Sequence, residues 1–190
     1  MSKTFGQRHA LAGFAVALSL SLAPAAAFAK NPMVGGAPMY ADKPIAVNAS
    51  HAKNLTTLVA AVKAAGLVDT LASPGPFTVF APTNAAFAKL PKGTVETLLK
   101  PENADKLKAV LTYHVVPGTL TAADLMSQVK DGGGKAELKT VEGEPLTVMM
   151  AGKGLTVTDA KGGVAHVTTG DVMQSNGVVH VIDKVLLPAS

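Results

Sequence analysis

With 190 residues and no cysteine, the chain is long enough to bury a full core and cannot build a disulfide scaffold, a thiolate metal site or a lipidated-cysteine anchor. Its 17 basic residues against 13 acidic ones do not point to nucleic acid. Arg8 is the only arginine and the lysines are scattered, whereas reading of phosphate and guanine favours grouped guanidinium forks.

The chain opens on Lys3 and Arg8, followed by an apolar run from about Ala10 to Ala23 that is short for a membrane span. Pro24 breaks the run, and Ala27-Phe28-Ala29 is a small-x-small cleavage site. This order predicts a signal peptide over residues 1–29, with cleavage after Ala29 and export to the periplasm or beyond. The remaining 161 residues suit one domain and contain no second long apolar run, so no membrane span is expected. Residues 30–53 are punctuated by Asn31-Pro32, Gly35-Gly36, Ala37-Pro38 and Lys43-Pro44 and lack a period. They read as an extended N-terminal arm that wraps the domain.

Asn54 is placed to cap a helix with Leu55, Leu58, Val59 and Val62 on one stripe, stopped by Gly66. After the Ser73-Pro74-Gly75-Pro76 breaker, Thr78 to Ala81 reads as a buried strand ending at Pro82. Thr83 or Asn84 can cap the next helix, which carries Phe87 inward. Thr94 can cap Val95 to Leu99. Pro101 suits the first turn of a helix to about Tyr113, with Leu107, Val110, Leu111 and His114 on one face. Thr121 to Asp124 resembles a capping box for a helix that ends before Gly132-Gly133-Gly134. The period then changes to two. Strands are predicted over Ala136–Val141, Leu146–Met150, Leu155–Asp159, Val164–Thr169 and Val178–Leu187, with hairpin-length connections. In the last strand Val178, His180 and Ile182 face one way and Val179, Val181 and Val185 the other, as in a strand covered on both sides. Helices first and strands afterwards argue for an α+β fold.

Three segments carry a family resemblance. Thr78-Val79-Phe80-Ala81-Pro82-Thr83-Asn84-Ala85-Ala86-Phe87, then Tyr113-His114, then Asn176-Gly177-Val178-Val179-His180-Val181-Ile182-Asp183 resemble, in order, the first signature box, the central Tyr-His pair and the second box of the fasciclin domain. The resemblance covers residues 54–188. It implies a wedge of two largely antiparallel β-sheets flanked by short helices, in a single-domain, exported and bacterial member. It implies a module for cell adhesion or protein–surface interaction, not an enzyme, with a cell-surface or matrix protein or polysaccharide as partner and no cofactor. Animal members use two regions in integrin-dependent adhesion. One surrounds the pair matched here by Tyr113 and His114. The other is an Asp-Ile pair, matched here by Asp171 and Val172, with Gly170 where those motifs carry Pro or Lys. The competing reading is architectural: Asp171 caps a turn while Val172 and Met173 enter the core.

Catalytic patterns are missing from the sequence. There is no H-E-x-x-H spacing and no G-x-S-x-G elbow, and Gly132-Gly133-Gly134-Lys135 is followed by Ala136 where a phosphate loop needs Ser or Thr. His114 and His180 read as core histidines whose ring nitrogens need internal partners. Met149-Met150, at strand spacing, places one side chain inward and one outward. The alternative function class is a periplasmic small-ligand-binding or stress-related protein. A monomer is the expectation, and attachment is expected to be non-covalent or absent because the sequence shows no wall-anchor motif.

Overall fold

A computed structural model describes residues 31–189; the expected signal peptide lies outside them. The described chain runs β1 (Met33–Val34), β2 (Ala37–Pro38), α1 (Ile45–His51), α2 (Thr56–Ala64), α3 (Val68–Ala72), β3 (Phe77–Pro82), α4 (Asn84–Ala88), α5 (Thr94–Leu98), a 3-10 turn (Pro101–Asn103) and α6 (Ala104–Tyr113). It continues with β4 (Val115–Pro117), α7 (Ala122–Asp131), β5 (Lys135–Lys139), β6 (Pro145–Ala151), β7 (Gly154–Thr158), β8 (Val164–Gln174) and β9 (Gly177–Ile182). The α+β expectation holds, with helices concentrated in the first half and the strand meander after them.

β1 and β2 form a small hairpin. The other strands form a seven-stranded sheet in the order β4-β3-β9-β8-β7-β6-β5. Every pairing in it is antiparallel except β3 with β9, which run parallel in the register Thr78↔Val178 and Phe80↔His180. Thus the strands of the two signature boxes lie side by side in the interior of the sheet, second and third in the order. Two register shifts in β8, between Val167 and Thr169 and between Thr169 and Val172, bend the sheet at this point. The Val141 N–H donates to the Val115 carbonyl at 2.8 Å, so the chain beyond β5 returns to β4 and the sheet nearly closes.

The parallel pair is covered on both faces, as the apolar alternation predicts. One face, with Val79, Ala81, Val179 and Val181, packs on α1, α2, α4 and α6. The other, with Phe80 and Ile182, packs inside the bent sheet against Tyr113, Leu125 and Val129. All six residues of β9 are buried.

Several local expectations are corrected. The arm over residues 30–53 is not simply extended: it holds the β1–β2 hairpin and the helix α1, which turns Ile45 and Asn48 inward. Asn54 does not cap α2. Leu55 is the N-cap residue, and the Thr57 N–H is instead taken by the side-chain oxygen of Asn84 at 2.9 Å. A residue of the first box therefore caps a helix nearly thirty positions earlier. Thr83 caps its own helix as expected, accepting from the Ala86 N–H at 3.2 Å. Gly93, in a left-handed conformation with φ 83°, precedes α5, so Thr94 is its first residue and not its cap. Strand β8 runs five residues past Thr169 and takes in Asp171. Met149 and Met150 are both exposed, as is Met173, so none of the three fills the core.

Candidate functional site

The two signature boxes pair along β3 and β9, with β8 and the start of α7 beside them, and the Phe80 N–H joins β3 to the His114 carbonyl at the end of α6 at 2.9 Å. His114 ends α6. Its Nε2 accepts the Leu186 N–H at 3.0 Å, so its Nδ1 carries the proton and donates to the Val110 carbonyl at 2.7 Å. Both nitrogens are thereby engaged by backbone groups. Burial pushes the imidazole down to a pKa of about 4, with the Val110 bond and the charge of Asp159 opposing that shift only in part. Its neighbour Tyr113 is wholly buried. The Tyr113 hydroxyl donates to the Pro145 carbonyl at 3.0 Å and accepts the Ala160 N–H at 2.9 Å, tying α6 to both ends of the β6–β7 hairpin. Burial raises its pKa.

His180 lies on β9, opposite Phe80, and stacks on that ring with centroids 5.7 Å apart. Its Nε2 donates to the Leu120 carbonyl at 2.8 Å, and its Nδ1 accepts from the Asp171 N–H at 3.4 Å. Burial lowers its pKa as well. The two histidines therefore sit in separate hydrogen-bonding environments, each held neutral.

Asp171 occupies the β8 bulge with φ 54°, the one non-glycine residue at positive φ among those described. Asp and Asn tolerate that region better than most residues. Its Oδ1 accepts from the Ala122 N–H at 2.6 Å, and Ala122 is the first residue of α7. The capping box is present too: Thr121 accepts from the Asp124 N–H at 3.2 Å while the Asp124 carboxylate accepts from the Thr121 N–H at 2.9 Å. Hydrogen bonds from Thr121 hold the Asp124 carboxyl below the usual range. The start of α7 thus has a cap from its own chain and a second from β8. Asp171 is exposed and Val172 is buried, so the pair divides into a surface charge and a core residue.

The remaining polar motif residues bind backbone. Thr78 donates to the Gly118 carbonyl at 2.7 Å and accepts from the Leu120 N–H at 2.9 Å. Asn176 accepts from the Ile45 N–H at 3.0 Å and donates to the carbonyls of Leu71, at 2.7 Å, and Ser73, at 2.9 Å. It therefore fastens the start of α1 and the end of α3 to the β8–β9 turn. At the next residue, Gly177, a Cβ would collide with the carbonyl oxygen of Phe77, so the parallel strand can approach only a glycine there. Burial alone would raise the Asp183 carboxyl; the His166 N–H, at 2.7 Å, and Lys89, at 3.3 Å, outweigh it and hold the group low.

Two polar hubs escape the sequence patterns. The buried Asp159 accepts from the N–H groups of Lys161, Gly163 and Leu187, joining the β7–β8 turn to the C-terminal segment. Asn48 of α1 hydrogen-bonds Gln174 of β8 and donates to the Tyr40 carbonyl at 2.7 Å. The Asp-Ala-Lys-Gly-Gly run signals a turn at Asp159, but nothing local signals the bond to Leu187 across 28 positions.

Comparison with known proteins agrees with this arrangement. The fasciclin-domain family model matches residues 53–188. Protein sll1483 of Synechocystis sp. is 48% identical over 94% of this chain and 93% of its own length. The immunogenic protein MPB70 of Mycobacterium bovis is 41% identical over 76% of this chain and 69% of its own. Among solved structures, a FAS1 domain pair from the insect cell adhesion molecule fasciclin I superposes with a TM-score of 0.67 over 76% of this chain at 19% identity, a likeness of fold. This chain spans about half of that one, 51%. Both boxes lie within the matched residues and supply the paired parallel strands β3 and β9, so the chain belongs to the fasciclin-domain family.

Proposed function

We propose that this chain is an exported module that adheres, through non-covalent contact, to a cell-surface or matrix protein or polysaccharide, and that it catalyses no reaction. The observation that carries this reading is how the motif side chains are used. Both nitrogens of His114 and of His180, the amide of Asn176 and the hydroxyls of Tyr113 and Thr78 are engaged by backbone groups. A general base or metal ligand needs a nitrogen or oxygen directed at a reacting group. These residues build a scaffold, and contact falls to its exposed surface. The solved relative described as an insect cell adhesion molecule supports the same function class.

Asp171 is the exposed member of the Tyr113, His114, Asp171 and Val172 set, and we assign it the contact role. Because it also caps α7, alanine would confound contact with folding. Asp171→Asn keeps an acceptor for the Ala122 N–H and removes the charge. Attachment of the purified protein to cells of its source organism should fall with Asp171→Asn while the melting temperature holds. Unchanged attachment would remove Asp171 from the contact surface. A deletion strain that adheres normally would reject adhesion itself. Export has its own test: the intact mass of the protein recovered outside the cytoplasm should correspond to a chain beginning at Lys30, and retention of residues 1–29 would refute it.

A further inference from the structure

A cleft of about 110 Å³ lies between the N-terminal helices and the sheet. Val79, Val172 and Val179 line it from the strands, and Ile45, Leu58 and Val62 from α1 and α2. Of the polar groups in its wall, those of His114, Thr112 and Ser50 and the side-chain oxygen of Gln174 are already engaged. His114 bonds Val110 and Leu186, Gln174 accepts from Asn48, Thr112 donates to Lys108, and Ser50 donates to Val47. Water held inside would need two to four polar partners, and these groups have theirs elsewhere. Apolar cavities of comparable size, ~150 Å³, stay dry and take up a benzene-sized guest.

The exposed residues of the wall are Ser50, Lys63, Thr70 and Val141, which mark its mouth. Lys63 is the only one of the lining residues with a full charge, and no carboxylate is among them. Lys63 makes no ion pair among the described residues. An apolar interior with a single ammonium at its mouth matches a hydrocarbon tail ending in an anion. We infer that the cleft binds a free medium-chain carboxylic acid, with its tail among the valines and leucines and its carboxylate at Lys63. The cleft is smaller than the ~150 Å³ cavity that takes up benzene, so about four or five carbons of the tail lie inside it and the rest runs through the open mouth to Lys63. This site goes beyond the adhesion reading and does not depend on it.

The test titrates octanoate, octan-1-ol and octyltrimethylammonium into the intact protein by calorimetry, with methyl chemical shifts followed in parallel. Octanoate should bind one to one, shift the methyls of Val62 and Val179, and raise the melting temperature. Lys63→Gln, at an exposed position, should weaken octanoate by about two- to fivefold and leave octanol unchanged. Ala49→Leu, which adds volume inside the cleft, should reduce binding of both at least tenfold. If that variant does not fold, Lys63→Gln and the methyl shifts decide alone. Absence of octanoate binding, or shifts confined to other methyls, would overturn the site. Equal binding of octanoate and octyltrimethylammonium would overturn the assignment of an acid. Co-sedimentation with phosphatidylcholine vesicles, abolished by Ala49→Leu, would overturn a free acid in favour of a bilayer acyl chain.

Discussion

His114 shows how one residue couples packing to pH. Its ring carries one proton, which goes to Val110, while the bare nitrogen must accept from Leu186. Protonation of that nitrogen would set two N–H groups against each other in a buried site. The folded pKa of about 4 against an ordinary 6.5 means that the unfolded chain binds a proton that the folded chain refuses. Stability is therefore complete above pH 6.5 and declines as pH falls from 6.5 toward 4, by about 3 kcal/mol in total. His180, also lowered by burial, adds to the loss in the same direction. Urea midpoints measured from pH 7.5 to 4 should fall accordingly, and a flat profile would contradict the neutral tautomer. His114→Gln should flatten part of that profile while costing ~1–3 kcal/mol at pH 7, because the Val110 carbonyl or the Leu186 N–H loses its partner. Asp171 presents a second residue-scale case. Asp171→Ala removes an acceptor from the first N–H of α7 and places a β-carbon residue less suited to φ 54° in the bulge. A loss of about 1 kcal/mol is expected in thermal or urea unfolding. Asp171→Asn should stay within about 0.5 kcal/mol of the parent.

At the scale of elements, polar side chains hold together segments that the apolar pattern leaves independent. Asn176 joins α1 and α3 to the β8–β9 turn through three bonds. Asn176→Ala should strand the Ile45 N–H and two carbonyls, cost ~1–3 kcal/mol, and raise amide exchange first at Ile45. Loss of stability with Ile45 still protected would place the defect elsewhere. These ties also explain what the sequence could and could not reveal. The paired strands β3 and β9 were legible because continuous apolar runs around Phe80 and Val179 fit only a strand covered on both faces. The capping box at Thr121 was legible because both of its partners lie within three residues. Helix α1 was not: in Ile45–His51 only Ile45 and Asn48 are buried, so no apolar stripe announces it. Proximity alone points to Asn54 as the cap of α2, whereas the working acceptor, Asn84, arrives through tertiary packing. The sequence offers Asp171 as either contact or cap, yet its partner Ala122 lies 49 positions away, beyond the reach of local rules. The apolar cleft was illegible for a related reason. A void is a mismatch among side chains from many elements, and no one segment encodes it.

For the molecule as a whole, the arm ahead of residue 53 decides whether the domain is complete. The family match begins at residue 53, and the sequence pattern likewise starts the domain at Asn54. Yet Val34, Met39 and Ile45 are 3%, 2% and 4% exposed and join the same core as Leu58, Val79 and Val179. Burial of each such side chain is worth about 1.5–3 kcal/mol. Their sum is comparable to the entire stability of an ordinary domain, ~5–15 kcal/mol. Removing the arm would also unpair Gln174 from Asn48 and Asn176 from Ile45, and would open one side of the cleft to water. A chain beginning at Asn54 should therefore fail to fold cooperatively, or unfold at a much lower urea concentration than a chain beginning at Lys30. Ile45→Ala in the longer chain should cost ~2–5 kcal/mol, tracing part of that loss to one side chain. Circular dichroism and urea unfolding of the three proteins give the answer. If the truncated chain unfolds at the parent's midpoint, the arm merely lies on a core that is complete without it, and the cleft behind α1 loses its wall without consequence for the fold.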